Sequence, residues 1–119
     1  MYKELQNITK KISNQKVIVW GDFILDEYIY TTTGRISREA PVLVTEFESN
    51  EFKLGGAGNV VLNIKSLGAK PIPVGFIGQD LDGKILKEIL KKNGIKLDHL
   101  IEVENYKTPK KSRILSGGE

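Results

Sequence analysis

Leu54-Gly55-Gly56-Ala57-Gly58-Asn59 is the part of the sequence best suited to holding a ligand. Successive glycines let ligand atoms reach the main chain, because no Cβ stands in the way. The helix that follows begins with unpaired N–H groups, and Asn59 adds both a donor and an acceptor. Such a set suits a polyhydroxylated ligand or an anion. A plain strand-to-helix turn requiring positive φ would use the same residues. Asp22 and Asp26 follow directly on an apolar strand, and open α/β sheets collect ligands outside the carboxyl ends of their strands. A carboxylate there can accept hydrogen bonds from two sugar hydroxyls, each worth about 1.5–3 kcal/mol when charge-assisted. The alternative is one aspartate that stabilises a turn and one that sits on the surface.

Other chemistries lack their residues. The sequence has no cysteine, which excludes disulfides, thiolate zinc sites and a cysteine nucleophile and fits a reducing, cytoplasmic setting. His99 is the only histidine and has no second soft ligand for a metal, so it reads as an ordinary residue at a strand start. There is no Gly-x-Ser-x-Gly elbow for a hydrolase. The glycine loop is not a dinucleotide fingerprint, since Val61 takes its third glycine position, and it lacks the Gly-Lys-Ser/Thr of a P-loop.

The elements that must position these residues follow from periodicity. Leu5, Ile8 and Ile12 mark an amphipathic helix from Tyr2 to Ile12, expected to lie against the body of the domain. Lys16–Trp20 is a β-branched run of the kind buried on both faces of a parallel sheet. Tyr28–Thr33, Pro41–Phe47 and Phe52–Leu54 read as wetter strands of a small hairpin-like sheet, interrupted by polar Glu48-Ser49-Asn50-Glu51. Val60, Val61, Ile64 and Leu67 then mark a helix stopped by Gly68, and Pro71–Ile77 a strand ending at Gly78. Asp80 or Asp82 caps a helix carrying Ile85, Leu86, Ile89 and Leu90, with strands near Leu100–Val103 and Ser112–Ser116 beyond it. The alternation of strand and helix from Lys53 to Val103 makes the class α/β. The final strand, followed by a turn at Gly117-Gly118-Glu119, is expected to have nothing to pair with, so the chain reads as cut from something larger.

Length and composition set the outer limits. The 119 residues suffice for one small domain, and 39% hydrophobic with 28% charged residues is ordinary for a globular chain. A formal charge of +3 is too small to imply nucleic acid, and Lys84, Lys87, Lys91 and Lys92 punctuate a helical face as solvated lysines do. The N-terminus lacks the apolar core of a secretory signal, and no apolar run spans a bilayer, so neither membrane nor nucleic acid is an expected partner.

Taken together, these residues resemble the ribokinase-like (PfkB-type) carbohydrate kinases over nearly the whole chain. Gly55, Gly56, Ala57, Asn59, Gly68 and Gly78 fall in the register of that family's first signature. Val61 stands where Ser, Thr or Ala is usual, which reads as repacking on the buried side of the helix. Within the family the chain is most similar to the heptose-phosphate kinase branch. Gly21-Asp22-Phe23-Ile24-Leu25-Asp26-Glu27-Tyr28, Arg35-Ile36-Ser37-Arg38-Glu39-Ala40-Pro41-Val42 and Thr108-Pro109-Lys110-Lys111-Ser112-Arg113 carry that likeness, with Arg38 in place of the usual proline.

The resemblance implies the N-terminal part of a three-layer kinase fold, a partial parallel sheet with helices, plus a small β lid from strands at about 28–54 and 108–116. It implies an enzyme that phosphorylates a heptose 7-phosphate at its anomeric hydroxyl, with ATP and Mg²⁺ as cofactors of the full-length protein. Asp22, Asp26, Gly55, Gly56 and Asn59 would hold sugar hydroxyls, and Lys111 and Arg113 would meet the sugar phosphate. The lid would also pair two copies into a homodimer. The second family signature, Gly-Ala-Gly-Asp with its catalytic base, is absent from the sequence, so residues 1–119 are expected to lack the nucleotide-binding half, to bind no cofactor and to be inactive alone. The alternatives are a kinase for another sugar or nucleoside, and a non-catalytic sugar-binding or dimerisation module.

Overall fold

The computed structural model describes residues 1–117; Gly118 and Glu119, placed by the sequence in a terminal turn, lie outside the described residues. Element order is α1 (Tyr2–Ile12), β1 (Lys16–Trp20), β2 (Phe23–Ile36), β3 (Leu43–Gly56), α2 (Ala57–Ser66), β4 (Lys70–Gly78), α3 (Leu81–Lys92), β5 (Leu100–Val103) and β6 (Lys110–Ser116). The strands form two sheets. One is parallel, in the order β1-β4-β5; the other runs β3-β2-β6, with β2 antiparallel to β3 and parallel to β6. The α/β class expected from the alternation is therefore present.

Helices α2 and α3 cover one face of the parallel sheet. Val19, Phe23, Leu25, Leu54, Ala57, Val61, Ile77, Leu86, Leu90 and Ile95 form a single core there. Val61 is fully buried, which fits its reading as a packing residue. Helix α3 starts where the Asp80 side chain accepts from the Gly83 N–H at 2.7 Å, so Asp80 is the cap and Asp82 is not.

Four expectations are corrected. Strand β1 is not buried on both faces: Val19 points into the core, while Ile18 is 67% and Trp20 84% exposed on the side that no described helix covers. Helix α1 buries none of its residues, because no described element offers a surface to its apolar stripe. The wet strands are two long ones rather than three short ones. Glu48–Glu51 stays extended because its polar groups find cross-strand partners: Asn50 donates to Glu27 at 3.2 Å, and the Tyr30 hydroxyl donates to Glu51 at 3.2 Å. Finally, β6 is not unpaired. It docks along β2 from Leu25↔Lys110 to Thr31↔Ser116, which satisfies the backbone groups on one of its two edges.

The radius of gyration, 18.8 Å, exceeds the roughly 13–14 Å expected of a compact domain this long. The β2–β3 hairpin and the unpacked α1 both extend away from the core.

Candidate functional site

Side chains alternate across a sheet, so residues in register share a face. In the β3-β2-β6 sheet, Asp26 stands between Lys53 and Lys111, and Tyr28 between Glu51 and Arg113. One face therefore gathers Asp26, Tyr28, Lys53, Lys111 and Arg113. The Arg113 Nη1 lies 3.5 Å from Asp26 Oδ1. Arg113 and Lys53 both place their cationic groups 5.2 Å from the Tyr28 ring centroid, within reach of its negative π face. That same Nη1 is buried and makes no hydrogen bond, so its only partner among the described residues is the Asp26 charge.

The glycines are explained by their neighbours. A Cβ on Gly55 would sit 2.8 Å from Asp26 Oδ2 and 2.9 Å from both Cγ and Oδ1, so Gly55 is the floor on which the Asp26 carboxylate rests. Gly56 has φ +56° and presses on the Asp22 carbonyl, leaving room for no side chain in either respect. That carbonyl accepts from the Ala57 N–H at 2.8 Å, which fixes the N-terminus of α2 beside the β1–β2 turn. The turn reading of the glycine loop is thus satisfied for Gly56, whereas Gly55 is a close-approach glycine.

Of the seven residues singled out from the sequence, six converge through these contacts and register: Asp22 with Gly56, Asp26 with Gly55 and Arg113, and Lys111 beside Asp26. Asn59 sits on the first turn of the adjoining helix, exposed to solvent. Lys111 is exposed and forms no ion pair among the described residues.

Sequence reasoning missed the parts that hold this face in place. The Asp80 carboxylate accepts from the Thr108 N–H at 2.9 Å and the Thr108 hydroxyl at 2.7 Å, and that hydroxyl accepts from the Gly78 N–H at 2.9 Å. Thr108 is buried, so this knot ties the β4–α3 turn to the start of β6 and sets the height of Lys111 and Arg113. Burial pushes the Asp80 carboxyl up, but hydrogen bonds from the Thr108 hydroxyl, the Thr108 N–H and the Gly83 N–H outweigh it and hold it below the usual range. On the opposite sheet face, Glu27 accepts from Ser112 at 2.8 Å and from Asn50, clipping three strands together. Those bonds, chiefly the one from Ser112, and nearby Lys110 lower its pKa. Lys53 and Tyr28 were missed because face membership depends on pairing, which no local signal carries.

Among the described residues no group of three or more His, Cys, Asp or Glu side chains could hold a metal ion. No described helix is long and apolar enough to cross a membrane.

Residues 14–119 match the pfkB family carbohydrate kinases. The chain belongs to that family. Among pfkB relatives it is 43% identical over 115 residues to the bifunctional protein HldE of Vibrio atlanticus, covering 97% of this chain and 24% of that protein. It is 37% identical over 117 residues to the HldE of Citrifermentans bemidjiense, covering 98% and 24%. The chain thus spans about a quarter of the length of these relatives. In fold it matches Arabidopsis thaliana ribokinase complexed with ribose and ATP, at a TM-score of 0.67 and 21% identity over 87% of this chain and 33% of that one. Fructokinase with bound ATP from Xylella fastidiosa gives 0.62 and 20% over 86% and 30%. The ribokinase-like α/β architecture expected from the signature residues is the one observed.

Proposed function

We propose that this chain is the sugar-binding portion of an ATP-dependent carbohydrate kinase, and that its substrate is D-glycero-D-manno-heptose 7-phosphate. The observation that carries the reading is the Asp26 face: a carboxylate seated on Gly55, paired with Arg113 and flanked by Lys111. A carboxylate accepts sugar hydroxyls, while guanidinium and ammonium groups match a phosphate. A single face therefore offers both halves of a phosphorylated sugar their complement. The likeness to HldE proteins supports the heptose.

ATP with Mg²⁺ would be the phosphoryl donor to the anomeric hydroxyl, with ADP as the leaving group. The chain's own share is positioning. Asp22, Asp26 and Asn59 would hold hydroxyls, Gly55 and Gly56 would let the ring approach the main chain, and Lys111 with Arg113 would hold the 7-phosphate. Fixing both ends of the sugar keeps the acceptor oxygen in line, which is where most of the catalysis of phosphoryl transfer lies. The β3-β2-β6 sheet would act as a lid, and its exposed Leu43, Phe47 and Ile114 as the surface joining two copies.

The test is ATP-dependent phosphorylation of heptose 7-phosphate by the complete gene product. Asp26→Ala should lose activity severely while remaining folded. Efficient use of ribose or fructose phosphates but not the heptose phosphate would sink the substrate assignment, and activity of residues 1–119 alone would sink the division of labour.

A further inference from the structure

The sugar face lies at the carboxyl ends of the parallel strands. At their opposite ends is a cavity of about 320 Å³ lined by Lys16, Lys65, Lys70, Lys96, Asp98 and His99. Lys16 and Lys70 begin β1 and β4 and stand directly in register, so their side chains leave the same sheet face side by side. Like charges placed so repel each other unless an anion lies between them. None of the four lysines forms an ion pair among the described residues. The Lys65 ammonium reaches over Gly94, 3.6 Å from where a Cβ would be, and Gly94 (φ +72°) lines the cavity without blocking it.

The charge is concentrated rather than scattered. Four lysines against one aspartate give the cavity a surplus of +3 with His99 neutral, equal to the surplus of the entire sequence. The rest of the chain is electrically balanced. Ile72 and Ile95 add an apolar floor, where a charge pair is screened less than in open water.

We propose that this cavity binds an anion with adjacent phosphate groups, pyrophosphate by itself or as part of a nucleoside diphosphate. The surplus of +3 exceeds the charge of about −1.5 to −2 on one phosphate at pH 7 and calls for a second. The site is separate from the sugar face, and the proposal does not depend on the assigned substrate.

His99 provides the probe, since it lines the cavity and is the only histidine of the sequence. Pyrophosphate is titrated into the protein at constant ionic strength while the His99 Cε1–H resonance is followed by NMR, with ADP, orthophosphate and sulfate as parallel arms and His99→Gln to assign the signal. A saturable shift with pyrophosphate or ADP is expected, at least tenfold tighter than with orthophosphate or sulfate. ADP binding more tightly than pyrophosphate would identify the nucleotide as the source; equal affinities would identify the diphosphate itself. Lys16→Ala and Lys70→Ala should each weaken binding about tenfold, and Lys111→Ala, at the other end of the sheet, should leave it within twofold. Shifts that never saturate, that sulfate reproduces, or that survive both lysine substitutions would overturn the proposal. Circular dichroism of each variant separates lost binding from lost fold.

Discussion

Gly55→Ala isolates the Asp26 seat from every other feature of the chain. The new Cβ would lie 2.8–2.9 Å from three atoms of the Asp26 side chain, closer than Cβ atoms are found to approach any neighbour. Gly55 does not have positive φ, so the substitution adds no backbone strain, and the whole effect falls on the carboxylate. Asp26 must retreat by roughly half an ångström, since ordinary contact begins near 3.4 Å. Overpacking of this kind costs about 1–3 kcal/mol of stability. The retreat also misplaces an acceptor whose charge-assisted bond to a sugar hydroxyl is worth about 1.5–3 kcal/mol, which is about ten- to a hundredfold in kcat/KM. The assay is steady-state kinetics of the complete kinase on heptose 7-phosphate, with a thermal melt alongside. Gly34→Ala is the control, because its Cβ would meet nothing closer than the Val44 carbonyl at 3.8 Å. A Gly55→Ala enzyme with kcat/KM equal to that of Gly34→Ala would refute the seating of Asp26 and, with it, the role of that carboxylate.

Thr108→Val leaves the Gly78 N–H without its acceptor and takes from Asp80 one of its two donors at residue 108; a loss of about 1–3 kcal/mol is expected in denaturant unfolding, and a variant as stable as the parent would refute the knot. Asp80 and Glu27 are both held below their ordinary values, so they contribute stability above the unfolded carboxyl pKa that is lost as pH falls through the folded one. Unfolding midpoints should therefore drop below about pH 4, and Asp80→Asn should flatten that dependence while lowering stability at neutral pH. Trp20, 84% exposed, should emit at long wavelength and be freely quenched by iodide in residues 1–119, but be shielded in the complete gene product; equal quenching in both would show that the bare sheet face stays bare.

Local signals in the sequence carried the elements well. β-branched runs closed by glycine marked β1 and β4, and apolar residues at helical spacing marked α2 and α3. What they could not carry was pairing. Whether Ser112–Ser116 is an orphan or the third strand of a sheet depends on β2, more than eighty residues earlier, and no periodicity inside either segment encodes that register. The same holds for Glu48–Glu51, which reads as a break by composition. It stays in the strand because Tyr30 and Glu27 lie across from it. The glycine loop and both aspartates were legible as a candidate site, since Gly, Asp and Asn cluster at a strand end, although a plain turn would use the same residues. Lys53 and Tyr28 were invisible until the ladder placed them on the Asp26 face.

The uncovered side of the parallel sheet follows from the same limit. Ile18, Trp20, Phe76 and Ile101 alternate with core residues exactly as strands buried on both faces require, which is why β1 reads as doubly buried in sequence. Composition reports what a residue is built to touch; only the fold reports what it touches. Here the two disagree on one face and agree on the other. The agreement is confined to the side where α2 and α3 lie, the side that also anchors Gly56 and the Thr108 knot. The Asp26 face is therefore braced by a finished core, through Phe23, Leu25 and Leu54, and does not lean on the bare one. Contacts that would organise the candidate binding residues lie among the described residues, whereas Ile18, Trp20, Phe76 and Ile101 take no part in them and stay exposed.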